Sequence, residues 1–131
     1  MKIGILRETK IPADSRVPLS PAQCRQLEKE YPGIRILVQP SESRCFPDTD
    51  YVNAGIELSD DLRSCDVLLG VKEVRPPCLI PDKTYFFFSH TIKKQAHNKE
   101  LLRTVLNKHI RLVDYEVLTN SRGARIIGFG R

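Results

Sequence analysis

Two apolar runs near the middle of the chain, "DVLLGVK" at residues 66–72 and "TYFFFSH" at residues 84–90, decide the fold class. Neither run alternates apolar with polar residues, as a strand with one solvated face would. A continuous run is typical of a strand that is buried on both faces, which is the usual situation in a parallel sheet. Both runs end abruptly in polar residues, the first at Lys72 and the second at Ser89 and His90.

Strand-like and helical patterns alternate along the rest of the chain. Further strands are predicted at 2–6, 34–39 and 110–118, with a turn and a last strand within 121–130. Helices are predicted from Ser20 to Pro32, at 48–55 and over roughly 95–108, with another helical turn at 59–64. This alternation predicts an α/β domain with a Rossmann-like, open three-layer sheet that is mostly parallel and has an antiparallel edge.

The composition narrows the classes of function. The chain has 131 residues, the usual size of one domain, and a formal net charge of +5. The basic residues are scattered rather than clustered, so we predict no nucleic-acid partner. No apolar run is long enough for a signal peptide or a membrane span, so we predict no membrane partner and a cytoplasmic location. The four cysteines lack the spacing of a metal site, so we predict no metal.

Polar side chains follow most of the predicted strands. In open α/β sheets, ligands bind beyond the carboxyl ends of the strands, so these side chains are candidates for a site. They are Arg7, Glu8 and Arg16 after the first strand, Lys72 and Glu73 after the 66–72 run, Ser89 and His90 after the aromatic strand, and Asp114, Tyr115 and Glu116 after "IRLV" at 110–113. If these strands are parallel neighbours, we expect the side chains to meet at one edge.

Four of these residues suggest chemistry, and each also has an ordinary structural interpretation. Histidine is the side chain suited to proton exchange near neutral pH, so His90 could exchange a proton with a substrate, or it could be a partly exposed histidine at a strand end. Lys72 could act as a base, or its amine could extend to solvent. Arg16 lies in a proline-flanked loop that suits a carboxylate contact, although surface arginines are common. Glu116 could neutralise a cationic ligand or be an ordinary strand-end carboxylate.

The chain contains no recognisable nucleotide-binding loop. There is no GxGxxG motif, and Gly128 and Gly130 precede no predicted helix. Lys93 and Lys94, which follow the aromatic strand, are predicted to be surface residues.

Several motifs together carry a resemblance to a known family. "GILRETK", "SRVPLSP", "LLGVKEV" and "RGARIIGFGR" resemble the N-terminal domain of the alanine dehydrogenase and transhydrogenase superfamily. "VQPSESRCF", "DTDYVNAG", "KTYFFFSHTIKKQ" and "IRLVDYE" look like the saccharopine-forming branch, and in particular its lysine–ketoglutarate reductase domain. The resemblance covers nearly the whole chain in one order.

The resemblance implies an amino-acid oxidoreductase of two domains. Residues 1–131 are then expected to be the N-terminal substrate-binding and catalytic domain, a fragment that is inactive alone. A following Rossmann domain would bind NAD or NADP, so no residue of this chain is expected to bind the cofactor. The implied partners are small amino-acid and 2-oxo-acid substrates, and a homo-oligomer is possible.

The resemblance also assigns roles to individual residues. Lys72 and His90 match a lysine and a histidine that act as an acid–base pair. Arg16 matches an arginine that binds a substrate carboxylate, and Glu116 and Arg125 match residues near the substrate. The last match is Glu73, which follows Lys72 as in some members of the family but not in others.

Two alternative functions stay open at this point. An alanine dehydrogenase-like enzyme is the first, although "FFFSHTIKKQ" differs from the surroundings of the histidine in alanine dehydrogenases. The second is a non-catalytic regulatory domain that kept the fold.

Overall fold

Six parallel strands form one sheet in the computed structural model of the protein, which describes residues 1–130. The order of the strands across the sheet is β3-β2-β1-β4-β5-β6. The strands are β1 (Lys2–Ile5), β2 (Arg35–Val38), β3 (Glu57–Leu58), β4 (Val67–Lys72), β5 (Thr84–Phe88) and β6 (Arg111–Asp114). The two apolar runs are therefore β4 and β5, and they lie side by side near the middle of the sheet, as their composition predicts.

Three α-helices pack on the sheet: α1 (Pro21–Glu30), α2 (Asp48–Asn53) and α3 (Lys99–Asn107). Helix α1 begins at the capping box. The Gln23 backbone N–H donates to the Ser20 hydroxyl at 3.3 Å, and the Ser20 N–H donates to the Gln23 side chain at 2.8 Å. This reciprocal bonding satisfies two N–H groups that the first helical turn leaves free, which explains why the helix starts there.

The helices cover both faces of the sheet, so the predicted three-layer α/β architecture is confirmed. Cys24 of α1 and Tyr51 of α2 pack with Ile3 and Ile5 on one face. On the other face, α3 packs against an apolar cluster that includes Leu68, Tyr85 and Phe87. The alternation of side chains along the strands assigns each residue to its face, because successive Cβ atoms point to opposite sides.

The predicted antiparallel edge is wrong. All five pairings between neighbouring strands are parallel, and residues 119–130 contribute only an isolated antiparallel bridge between Thr119 and Arg125. The reason is a local turn: the Asn120 side chain accepts N–H groups of Arg122 and Ala124 at 2.9 and 3.0 Å. The segment thus folds back on itself and does not pair with β6.

Three shorter segments also differ from the sequence-based prediction. Residues 59–64 form no helical turn, and β3 precedes them as a two-residue strand. Strand β6 ends at Asp114, because the Asp114 carboxylate accepts the Glu116 N–H at 2.8 Å and starts a 3₁₀ turn at Tyr115–Val117. The 95–108 helix begins with a 3₁₀ turn at Ala96–Asn98 before α3.

The close packing of β1 on β4 makes Gly4 sensitive to substitution. A Cβ at Gly4 would lie 2.6 Å from Leu68 Cδ2 and 2.9 Å from Leu62 Cδ1, and both leucines are buried. We expect Gly4→Ala to lower the free energy of unfolding by about 1–3 kcal/mol through overpacking, measured by urea denaturation. Gly33→Ala is the control, since a Cβ at Gly33 would meet nothing within 4 Å. Equal effects of the two variants would contradict this account.

Candidate active site

Lys72 and His90 reach the same edge of the sheet from neighbouring strands. Lys72, the last residue of β4, is paired with Phe88 of β5, and His90 follows Phe88 by two residues. The pairing of β4 with β5 is irregular between Leu69 and Lys72. Glu8, which lies just beyond β1, accepts the backbone N–H groups of Val71 and Lys72, each at 2.8 Å.

Arg16 is held by Asp14 and by a backbone carbonyl. Its Nε and Nη2 donate to the two carboxylate oxygens of Asp14 at 2.9 and 2.6 Å, and its Nη1 donates to the Phe129 carbonyl at 3.2 Å. The hydrogen bond from Arg16 lowers the pKa of Asp14 to about 2. Asp14, Arg16 and Lys72 line one cavity of about 630 Å³. A bidentate pair of this kind fixes both the position and the plane of the guanidinium.

His90 and Arg125 meet at Glu116. His90 Nδ1 is 3.3 Å from Glu116 Oε2, while Glu116 Oε1 lies 3.2 Å from Arg125 Nη2 and 3.7 Å from Lys93 Nζ. The Glu116 side chain is only 14% exposed. A carboxylate at Nδ1 fixes the orientation of an imidazole and leaves Nε2 available to a ligand.

A buried hydrogen-bond network lies beneath His90 and Glu116. Ser89, which has no exposed surface, donates its hydroxyl to Asp114, and Asp114 in turn accepts the Glu116 N–H. The carbonyl of His90 accepts the side-chain amide of Asn98 at 3.1 Å. His90 has a positive φ of 56°, which is uncommon for a residue other than glycine and is maintained here by these bonds.

Aromatic rings form the apolar floor between the two groups of charges. Tyr115 packs against Phe88 and Phe129 with ring centroids 5.2 and 5.5 Å apart. The Arg125 guanidinium lies 5.4 Å from the centre of the Phe88 ring. The floor therefore connects the Phe129 backbone, which contacts Arg16, with the side chains that surround Glu116.

Glu73 does not join the other candidate residues. It forms an ion pair with Lys10 and lines a separate cavity of about 340 Å³ together with Val74 and Leu101 of the α3 side. Its Oε2 atom is buried and has no hydrogen-bond partner among residues 1–130. The ion-pair partner Lys10 lines both this cavity and the cavity of Lys72, so Glu73 lies beside the candidate site and not within it.

Reasoning from the sequence missed several residues of this edge. Asp14 and Lys93 were not assigned to the site, and Glu8 was considered only by its position after β1. Asp14 had a usable signal, because an Asp side chain in a loop often accepts the backbone N–H two residues on, as Asp14 does from Arg16 at 3.0 Å. The contact of Glu8 with β4 spans 63 residues of chain, so no local pattern could indicate it.

Residues 1–130 offer no evident site for a dinucleotide or a metal ion. No glycine-rich turn connects a strand to a helix in this range, which is the element that binds a pyrophosphate. The described residues also contain no group of three or more His, Cys, Asp or Glu side chains that could hold a metal ion. None of their helices is long and apolar enough to cross a membrane.

Comparison with protein families gives one decisive match. The family described as "Alanine dehydrogenase/PNT, N-terminal domain" matches residues 4–130. The chain belongs to this family. The alanine dehydrogenase/PNT N-terminal domain is thus the unit to which the sheet edge with Lys72 and His90 belongs.

Individual relatives of this N-terminal domain are enzymes by name. The chain is 41% identical over 129 residues to "Alpha-aminoadipic semialdehyde synthase, mitochondrial" of Mus musculus, covering 98% of the chain and 14% of that protein. It is 30% identical over 135 residues to "Saccharopine dehydrogenase [NAD(+), L-lysine-forming]" of Emericella nidulans, covering 98% of the chain and 35% of that protein. The chain therefore spans between about one seventh and one third of the length of these relatives.

A solved structure shares the fold. A structure titled L-alanine dehydrogenase superposes with a TM-score of 0.78 at 23% identity, over 95% of this chain and 35% of the other.

The ion pair between Asp14 and Arg16 makes the free energy of unfolding of this domain depend on pH in the acid range. The pKa of Asp14 is lowered from 3.8 to about 2, so the stabilisation is present above pH 4 and is lost as the pH falls towards 2. We expect Asp14→Asn to lower the free energy of unfolding by about 1 kcal/mol at pH 7 and by much less near pH 2, measured by urea denaturation.

A surface ion pair provides the control for this measurement. Asp61 forms a similar pair with Arg63, but the two side chains are 55% and 78% exposed, so solvent screens their attraction. Asp61→Asn should therefore have a smaller effect at pH 7. A loss for Asp14→Asn that is equal at both pH values would show that the ion pair is not its cause.

Proposed function

We propose that this chain is the substrate-binding and acid–base domain of an NAD(P)-dependent saccharopine dehydrogenase or lysine–ketoglutarate reductase-like oxidoreductase. Such an enzyme acts on the CH–NH group of amino-acid substrates. The observation that carries the proposal is the arrangement at the carboxyl edge of the sheet: Lys72 shares a cavity with Arg16, and His90 contacts Glu116 on the next strand end. The names of the two relatives supply the reaction class.

The charges of this edge suit substrates with several carboxylates. The amino-acid and 2-oxo-acid substrates of such a reaction carry carboxylates at their ends, and Arg16 and Arg125 provide guanidinium groups on the two sides of the aromatic floor. A guanidinium matches a carboxylate in shape and charge, and it binds more strongly in a partly dry cleft than in water. We assign Arg16 and Arg125 to carboxylate binding, with Glu116 orienting Arg125.

Lys72 and His90 are proposed as the groups that move protons. In the reductive direction, the ε-amine of lysine attacks the keto carbon of 2-oxoglutarate, and a carbinolamine forms. The attacking amine must lose a proton and the leaving hydroxyl must gain one, so the step needs both a base and an acid in reach. His90, oriented by Glu116, and Lys72, at the end of the neighbouring strand, fill these two roles.

The cofactor is assigned to another part of the protein. Since residues 1–130 contain no dinucleotide-binding turn, we propose that NAD or NADP binds mainly to a separate Rossmann domain, and hydride delivery is not assigned to any residue of this chain. Glu73 stays a proposed substrate contact, although it lines a different cavity. The cytoplasm is our proposed location, and the mitochondrion is the alternative because the mouse relative carries that word in its name. A homo-oligomer is also proposed.

Activity of the full-length protein tests the function directly. With lysine, 2-oxoglutarate and NADPH or NADH, we expect oxidation of the cofactor, followed by its absorbance, and saccharopine as the product detected by mass spectrometry. The 131-residue chain alone should give no turnover. Cofactor oxidation with pyruvate and ammonia but not with lysine would instead support an alanine dehydrogenase-like enzyme. No turnover with either pair would favour a regulatory domain.

Substitution of the two proposed acid–base residues tests their roles. Lys72→Met and His90→Gln should each lower kcat by about ten-fold or more, because each removes a proton-transfer group. The matched controls are Lys29→Met at the exposed end of α1 and His109→Gln, whose side chain is 84% exposed. Unchanged kcat in Lys72→Met or His90→Gln, with controls equal to wild type, would remove that residue from the mechanism.

A further inference from the structure

Glu8 uses both of its carboxylate oxygens on the backbone that carries Lys72. Oε1 accepts the N–H of Val71 and Oε2 accepts the N–H of Lys72, each at 2.8 Å. In a regular strand, successive N–H groups point to opposite edges, so one carboxylate could not accept both. The double contact is possible because β4 is irregular between Leu69 and Lys72, as at a β-bulge.

The sheet alone does not hold this part of β4. Pairing with β1 covers Val67 to Leu69, and the last backbone bond on that side is from the Leu6 N–H to the Leu69 carbonyl at 2.9 Å. Beyond Leu69 the chain of β1 diverges, and the Glu8 carboxylate takes the place of a neighbouring strand. Two charge-assisted bonds to adjacent N–H groups restrict the backbone more than one ladder bond would.

The Glu8 carboxylate is partly buried, so the hydrogen bonds that it accepts must compensate for lost hydration. Burial raises the pKa of Glu8, and the N–H groups of Val71 and Lys72 act in the opposite direction. Burying a carboxylate is unfavourable unless hydrogen bonds compensate for lost water.

We propose that Glu8 is a positioning residue for Lys72. By fixing the bulged backbone at Val71 and Lys72, it determines where the Lys72 side chain leaves β4 and therefore where its amine lies in the cavity shared with Arg16. Glu8 acts through Lys72 and does not itself contact the substrate. The inference rests on the proposed function for its catalytic consequence, but the geometric claim concerns the Lys72 side chain alone.

The test variant is Glu8→Gln in the full-length protein. Glutamine has one acceptor oxygen and an NH₂ donor, so its NH₂ group would face a backbone N–H and one of the two bonds would be lost. We expect kcat to fall by about ten-fold or more, because a small displacement of a catalytic group has a large effect on rate. Glu57→Gln, at an exposed glutamate of β3, is the control and should behave as wild type.

A double variant separates positioning from general damage. If Glu8 acts only through Lys72, then adding Glu8→Gln to Lys72→Met should cause no further loss of kcat beyond that of Lys72→Met. The loss from Glu8→Gln should also be confined to kcat, with the KM of the nicotinamide cofactor unchanged. Additive losses in the double variant would overturn the proposal.

A second readout does not depend on activity. The amine of Lys72 can be labelled with trinitrobenzenesulfonate and its rate of modification followed by mass spectrometry of the Lys72 peptide. In Glu8→Gln this rate should rise by several-fold, because the half-buried side chain gains freedom, whereas the rate at Lys29 should stay constant. If wild-type protein does not use lysine and 2-oxoglutarate, the proposed function fails, and this measurement still decides the role of Glu8.

The remaining outcomes are also decisive. An unchanged rate of labelling at Lys72 in folded Glu8→Gln protein would refute the positioning role. If Glu8→Gln does not fold by circular dichroism, Glu8→Asp replaces it, since the shorter side chain cannot reach both N–H groups. If neither variant folds, Glu8 is required for the fold as a whole and is not a specific positioning residue.

Discussion

The parallel pairing of β4 with β1 on one side and with β5 on the other is the constraint on which the rest of the structure depends. Parallel strands need crossover connections, which here carry α1, α2 and α3 over the two faces of the sheet. Because all strands run in one direction, every carboxyl end lies at the same edge. Seventeen residues lie between Lys72 and His90 in the chain. The two residues nevertheless follow neighbouring strands at the same edge, because those strands run in the same direction.

Two carboxylates fix the backbone at the strand ends that form the candidate site. Glu8 accepts the N–H of Lys72, and Asp114 accepts the N–H of Glu116, so each bonds the main chain of a residue whose side chain is a candidate for chemistry. Carboxylates at such positions are unfavourable to bury unless all their oxygens are bonded. Their presence at both strand ends indicates a site whose side chains are held in place before a ligand binds, which reduces the reorganisation needed during a reaction.

Local sequence patterns were sufficient to predict the elements that such patterns determine. The continuous apolar runs predicted β4 and β5, and the Ser20 capping box predicted the start of α1. The last strand was predicted wrongly because the Asn120 turn folds the segment back on itself, a choice that its apolar residues do not reveal. Glu73 was included because it follows Lys72 in some members of the family, and the fold places its side chain in a neighbouring cavity beside Val74 and Leu101. Contacts such as that of Glu8 with β4 depend on the completed fold.

The hydrogen bonds of Arg16 limit how it can bind a carboxylate. A guanidinium has five N–H donors. Three of them are used, two by Asp14 and one by the Phe129 carbonyl. The Nε–Nη2 side, which usually forms the strongest bidentate pair, is occupied by Asp14. A carboxylate that binds Arg16 must therefore use the remaining N–H groups of Nη1 and Nη2, or displace the Phe129 carbonyl. Asp14 thus orients Arg16 and at the same time reduces its net charge towards an anionic ligand, which favours a carboxylate presented from one direction over anions that lack that geometry.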